Sequence, residues 1–387
     1  MRIVIAKKLL SAVGGSELQA RLLGRALAVR GHDVTLVGLR PPWPRPGIPT
    51  SPGAGPIETF EAGVRCVFLP ARGGAITAVA DGVLPTSFAA DARALARMAQ
   101  GADVVHSIAR EWAAVLERVA RSAGAAFVET PLVHPGQRFA GGGASDVARY
   151  RRADAILALT EWEADWYRAH GVASVHVTGI GAALSVTSDA LMETARVLFV
   201  GRKEKYKGYH ALRRAAPMVW QVRPDVVFEA IGQRAWGARF ERMLADPRWI
   251  ERGVVDEREK AEAYARATVL AMPSDHETFG HTYLEAWTAG RPVIAGDIPP
   301  LREVVREGID GLHARNEPRA IADAILRLVR DPAAARRMGE AGRARVEEKW
   351  TWPIVAELTE RAYAHARGQA MASTMRRTGP ERSFLSA

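Results

Sequence analysis

A single cysteine, Cys66, occurs among the 387 residues, so no internal disulfide can form and a reducing compartment suits the chain. No apolar run approaches the length that a membrane-spanning helix needs. At the start, the apolar run Met1 to Ala6 precedes Lys7 and Lys8, the reverse of a secretory signal. A cytoplasmic location is the default expectation. No G-x-G-x-x-G follows the first predicted strand, which counts against a nicotinamide dehydrogenase, and neither a nucleophile elbow nor a P-loop lysine motif is present. His276 and His281 bracket Glu277 as H-E-x-x-x-H rather than H-E-x-x-H, so the two rings would not share a helix face for zinc, and no metal site is expected. The interleaved basic and aromatic motif of single-strand binders is also missing, and nucleic acid is not an expected partner.

What is present is an ordinary globular composition, 48% hydrophobic and 25% charged. The length exceeds what a single core supports, so two domains are expected. The net charge of +10 favours anionic partners such as nucleotides or phospholipid headgroups. Arg is frequent alongside Ala and Gly throughout, which reads as compositional bias rather than as a nucleic-acid footprint.

The opening reads as a strand over Arg2 to Ala6, a loop ending in Gly14 and Gly15, and a helix with Leu18, Leu22, Ala26, Leu27 and Val29 on its apolar face. Ser16 and Gln19 have capping-box spacing, Gly31 suits a left-handed position after the last turn, and Asp33 to Leu39 reads as a second strand. This βαβ unit predicts a parallel sheet. Pro41 to Pro56 carries too many prolines for a helix or inner strand, and is expected to be a loop flanking an acceptor site. Further strands are predicted at Val64 to Leu69, Asp103 to His106, Ala126 to Glu129, Ala155 to Leu159 and Val175 to Ala183, with helices around Ala89 to Met98 and Ala113 to Ser122.

The small, polar stretch Ser185 to Glu193 is expected to be the interdomain linker. A second series of strands follows at Val197 to Val200, Val226 to Ile231, Val269 to Met272 and Pro292 to Ala295, with its ligand crevice expected beyond their carboxyl ends. Helices close the chain over Pro318 to Arg330, Ala333 to Lys349 and Pro353 to Ala366. The expected division is 1–183 for the first domain and 184–352 for the second, with helix 353–366 returning to the first and 368–387 a flexible tail.

The most informative stretch is Val269 to Ala295, VLAMPSDHETFGHTYLEAWTAGRPVIA. It sets out a strand, a loop, a short helix beginning near Phe279 and Gly280, a break at Gly290 and another strand. Backbone N–H groups at Gly280, His281 and Thr282 would face an anion, and a diphosphate fits. Glu277 could then accept hydrogen bonds from sugar hydroxyls, and Glu285 from a ribose diol, because a carboxylate offers two acceptor oxygens. The bland alternative is that Glu285 is a partly buried residue paired with an Arg. Arg202 and Lys207 follow a predicted strand between Gly201 and Gly208, as cations for a phosphate or as a solvated loop. Gly14 and Gly15 would let a loop pass close to phosphates, although entry into a helix explains them almost as well.

In this context the chain resembles the retaining glycosyltransferases of the GT-B fold, family 4, whose mark is the Glu-x7-Glu element seen in ETFGHTYLEAWTAGRPVIA. The resemblance extends to the Gly14-Gly15 loop, to VLFVGRKEKYKG (Val197 to Gly208) and to the segment near Trp350, Thr351 and Trp352. It implies an α/β architecture of two Rossmann-like, doubly wound domains facing across a cleft. It also implies that Glu277 contacts the donor sugar and Glu285 the ribose, while Arg202 and Lys207 neutralise the diphosphate in place of a metal. Phe279, Gly280, His281 and Thr282 complete the implied donor site with Gly14 and Gly15. His134, in VETPLVHPG, matches the family's histidine near the transferring sugar, but Leu132 departs from the commonest form of that motif, which leaves His106 in DVVH as a competitor.

The implied function is metal-independent, retaining transfer of a sugar from a nucleotide-sugar, a UDP- or GDP-sugar, to a hydroxyl acceptor that is a natural product, lipid or glycoconjugate. No other cofactor is expected. Two rivals are a non-hydrolysing sugar-nucleotide epimerase and a catalytically inactive sugar-nucleotide-binding protein. Monomer and homodimer both stay open, as does peripheral contact of the basic tail with the inner membrane face.

Overall fold

The computed structural model describes residues 1–12, 14–41, 44, 46–50, 55–71, 92–134, 141–183, 194–234 and 246–378. The linker expected at Ser185 to Glu193 lies outside the described residues. Two α/β units are present, one comprising Met1–Leu159, Ala164–Thr178 and Val355–Ala387, the other Thr160–Glu163 and Gly179–Ile354.

The first unit is built on β1 (Arg2–Ala6), β2 (Asp33–Arg40), β3 (Ile57–Glu61), β4 (Val64–Pro70), β5 (Val104–Ile108), β6 (Ala126–Thr130), β7 (Ala155–Ala158) and β8 (Val175–Val177). They form one sheet in the order β3-β4-β2-β1-β5-β6-β7-β8, in which only β3 runs antiparallel, against β4. Parallel strands need cover on both faces, and they are accordingly continuous buried runs such as Val104–Ile108. Val4, Val37, Val67, Val105 and Phe127 pack with Leu95, Trp112, Leu116 and Val119 in one core. Each such side chain contributes roughly 1.5–3 kcal/mol of transfer free energy. The order reverses between β1 and β5, the position at which a doubly wound sheet opens a crevice for ligands.

The first helix, Gly15–Val29, begins earlier than a Ser16 cap requires. Gly14 is the N-cap and makes no side-chain capping bond, Ser16 donates instead to the Glu17 carboxylate at 2.9 Å, and Gln19 is buried in the helix. Gly31 takes the left-handed conformation (φ 87°), and the N–H groups of Gly31 and His32 donate to the carbonyls of Ala28 and Leu27, which closes the helix as a Schellman motif.

The second unit carries β9 (Arg196–Val200), β10 (Val227–Ile231), β11 (Trp249–Glu251), β12 (Val269–Met272), β13 (Val293–Gly296) and β14 (Gly311–Ala314). All are parallel, in the order β11-β10-β9-β12-β13-β14, so here the reversal falls between β9 and β12. These two central strands precede the two loops singled out in the sequence.

Three boundaries depart from the sequence expectation. Thr160–Glu163 groups with the second unit, where the N–H groups of Glu161 and Trp162 donate to the Glu303 carboxylate at 2.8 and 2.9 Å. Gly179 onward also belongs there, and the Ala182 N–H donates to the Trp350 carbonyl at 2.8 Å. The last helix spans Trp352–Thr378, well past the point where a flexible tail was expected. Ala, Met, Gln and Arg after Gly368 are good helix formers, and no proline follows until Pro380.

Candidate functional site

The loop after β9 is anchored from below by a residue the sequence did not single out. Lys203 is buried, and its ammonium pairs with Glu251 at 2.8 Å. Burial pulls its pKa down while Glu251 opposes, and Glu251 also accepts from Tyr209 and Trp249 at 2.9 Å. With Lys203 turned inward, Arg202 stays 62% exposed and Lys207 is left at the end of a single 3-10 turn, Lys205–Lys207. Tyr206 lies between the two cations: the Arg202 guanidinium donates to its hydroxyl, and the Lys207 ammonium stands 5.2 Å from its ring centroid. Burial pushes the Tyr206 hydroxyl pKa up, so it stays a neutral phenol.

The loop after β12 is stitched directly to this one. The Asp275 N–H donates to the Tyr206 carbonyl at 2.7 Å, and the Asn316 amide bridges the Lys205 carbonyl (3.0 Å) and the Asp275 carboxylate (2.6 Å). Gly208 sits at φ 82°, and a Cβ there would lie 2.6 Å from Pro273 Cγ and 2.8 Å from its carbonyl oxygen. Only glycine lets the loops approach this closely. The Lys207 ammonium and the Glu277 carboxylate form a partly buried ion pair.

The helix His281–Thr288 starts from Gly280, whose φ is 97° and whose missing Cβ would fall 2.4 Å from the Tyr283 ring. Tyr283 in turn donates to the Met272 carbonyl at 2.7 Å, tying the helix to the end of β12. Phe279 is a core residue, edge-to-face with Trp350 at 5.2 Å, so its side chain supports the loop and does not face a ligand. His276 stands beside the Tyr206 ring. Among the described residues no group of His, Cys, Asp and Glu is arranged to hold a metal ion, and no helix is long and apolar enough to cross a membrane.

Glu285 is buried, with its side chain 3% exposed. One oxygen accepts from the Lys260 ammonium at 2.9 Å and the other from the Tyr264 hydroxyl at 2.8 Å. Both partners come from the helix Glu257–Arg266, which opens with a capping box between Asp256 and Glu259. Sequence reasoning passed over that helix, although D-x-x-E is a recognisable start signal.

In the first unit, Gly14 (φ 124°) ends the loop after β1, and Gly15 opens the helix. The buried Arg21 of that helix donates to the carbonyls of Ser11, Leu10 and Gly47 at 3.1, 2.6 and 2.7 Å and pairs with Glu61, pinning part of the proline-rich segment to this loop. At the β1 and β5 ends, the buried Lys7 pairs with Glu111 at 3.3 Å. His134 follows β6 in a half-buried position, two residues after Leu132, which adopts φ 56°. His106 is a core histidine. Its ring nitrogens bond Tyr363 Oη at 2.7 Å and Thr130 Oγ1 at 2.8 Å, and burial lowers its pKa to about 3.

Two doubly wound units, each with its own switch point, define the class of GT-B folds. Residues 14–183 match the "Glycosyl transferase 4-like domain" model and residues 188–345 the "Glycosyl transferases group 1" model. The chain belongs to the family-4 glycosyltransferases of the GT-B fold. It is 33% identical over 180 residues to glycogen synthase of Mycobacterium tuberculosis, a match covering 45% of this chain but only 43% of that protein. It is also 28% identical to D-inositol 3-phosphate glycosyltransferase of Xylanimonas cellulosilytica, over 91% of this chain and 92% of that protein. The solved structure of HepE of Anabaena, in complex with UDP and glucose, shares the fold with a TM-score of 0.73 at 16% identity, covering 94% of this chain and 99% of HepE.

Proposed function

We propose that this chain is a retaining, metal-independent glycosyltransferase that takes a sugar from a UDP- or GDP-sugar held by the second unit and delivers it to a hydroxyl acceptor on the first. The observation that carries the proposal is the joining of the β9 and β12 loops, which sets Lys207, Glu277 and Arg202 at the one point where the second sheet reverses its order. The structure of HepE with UDP and glucose supports such a donor.

Breaking the bond between sugar and diphosphate leaves negative charge on phosphate oxygens. Arg202 and Lys207 supply positive charge there, Arg202 from an exposed position beside Glu204, while Glu277 holds the Lys207 ammonium in place. The N–H groups of Gly280, His281 and Thr282 at the helix start add roughly 0.3–1 kcal/mol per favourable charge. Glu277 keeps acceptor capacity for sugar hydroxyls, and Glu285 for the ribose. In the first unit, non-glycine residues with left-handed backbone follow the ends of both β5 (Ala109, φ 62°) and β6 (Leu132, φ 56°). Such conformations cost about 1–3 kcal/mol and concentrate at working sites, which supports His134 as the histidine on the acceptor side. Retention follows from front-face attack, in which the leaving phosphate takes the acceptor proton. A cytoplasmic location, with Cys66 buried and its thiol pushed up to about 11 by burial, fits this reading.

Thermal-shift screening with UDP-, GDP-, ADP- and dTDP-sugars, followed by transfer assays with the best donor, tests the proposal. Lys207→Ala should lower kcat by about 10²–10³-fold, by analogy with losing one charge-stabilising donor, and chelator should leave the rate unchanged. A strict requirement for a divalent cation, a full rate in the variant, or conversion of the donor to its epimer without acceptor would each contradict it.

A further inference from the structure

We propose that Lys260 and Tyr264 are positioning residues for ribose recognition, fixing the Glu285 carboxylate so that a ribose diol meets the lone pairs they leave unused. The inference rests on the donor reading above and adds the residues that make Glu285 able to serve it. A carboxylate buried alone is costly by several kcal/mol and escapes by taking a proton, after which it no longer offers two anionic acceptors. Here each oxygen has a donor of its own, Lys260 Nζ at 2.9 Å and Tyr264 Oη at 2.8 Å. Four lone-pair positions less the two engaged leave one on each oxygen, the number a vicinal diol requires.

The two donors sit four residues apart on the helix Glu257–Arg266, so they project from one face, and the capping box of Asp256 and Glu259 fixes where that helix starts. Glu257 braces the Lys260 ammonium from the other side at 3.1 Å. Burial opposes the charge on Lys260, but the neighbouring Glu285 and Glu257 outweigh it and hold the pKa above its ordinary value, so the ammonium persists at neutral pH. Burial, reinforced by Glu285, holds the Tyr264 hydroxyl neutral and hence a donor. Lys260 is 14% exposed against 3% for Glu285, so most of the ion pair is shielded from solvent.

The test is isothermal titration of UDP and GDP, each against its 2′-deoxy form, into wild type, Tyr264→Phe, Lys260→Met and Lys260→Arg. Wild type should favour the ribose form by about tenfold, the worth of one hydrogen bond to a charged group. In Tyr264→Phe and Lys260→Met the preference should fall toward one, and Lys260→Arg should recover most of it. A merely structural role would weaken both forms equally and leave the ratio at its wild-type value, and that result overturns the inference. Should Lys260→Met fail to fold, Tyr264→Phe decides alone. A wild type that does not distinguish the two sugars sinks the ribose role of Glu285 itself, which separates that failure from failure of the positioning residues.

Discussion

At the scale of single residues, the titratable groups divide into those that work by staying charged and those that work by staying neutral. Lys260 is held charged, its pKa raised by Glu285 and Glu257 against the opposing effect of burial. His106 does the opposite, with both ring nitrogens occupied and a pKa lowered by burial to about 3. Between that value and about 6.5 the unfolded chain binds a proton that the folded chain does not, so stability is complete above about pH 6.5 and falls as the pH drops toward 3. The slope expected from this one group is about 1.4 kcal/mol per pH unit. Urea titrations between about pH 7 and pH 5 should show it, and His106→Gln should be weaker at neutral pH with a flatter dependence. An identical slope in the variant would mean that His106 titrates alike in the folded and unfolded chain. Residue identity alone did not separate His106, which ends a predicted strand, from His134, which follows one. The burial and partners of His106 are not local information.

At the scale of elements, the sequence reported the inner strands well and the joins between them poorly. β1 and β12 fall at the predicted residues because their apolar runs are bounded by polar or turn-forming neighbours. β11 and β14 were missed: three and four residues are too short for a periodic signal. β3 was missed because it is an edge strand that leaves Phe60 exposed. Arg202, Lys207, Glu277 and Glu285 could be named from motif context. The Lys203–Glu251 anchor and the Lys260–Tyr264 pair on Glu285 depend on which helix packs where, which no spacing reveals. The fit of the β9 loop against the β12 loop is narrowest at Gly208. Gly208→Ala combines a left-handed backbone with a Cβ inside contact distance of Pro273, and should cost about 1–3 kcal/mol or more of stability while weakening donor binding. Melting temperature and nucleotide affinity measured together would show it. Wild-type values for both would mean that the two loops are not held as a unit.

At the scale of the whole molecule, each unit carries its own doubly wound sheet with its own reversal, between β1 and β5 in the first and between β9 and β12 in the second. By topology alone either could receive a nucleotide. The proposed function places it in the second. That reversal presents Arg202, paired with Glu204 at 3.4 Å, and Lys207, paired with Glu277, together with the start of the helix His281–Thr288. The first presents Lys7, paired with Glu111 at 3.3 Å, and the start of the helix Gly15–Val29. Both can offer helix N–H groups to an anion, so the location of the diphosphate is an experimental question. The most direct test is a crystal structure with the nucleoside diphosphate that gives the largest thermal shift. The diphosphate is expected within hydrogen-bond distance of Lys207 and Arg202 at the ends of β9 and β12, with the ribose toward Glu285. Density for it at the ends of β1 and β5 instead would contradict the account.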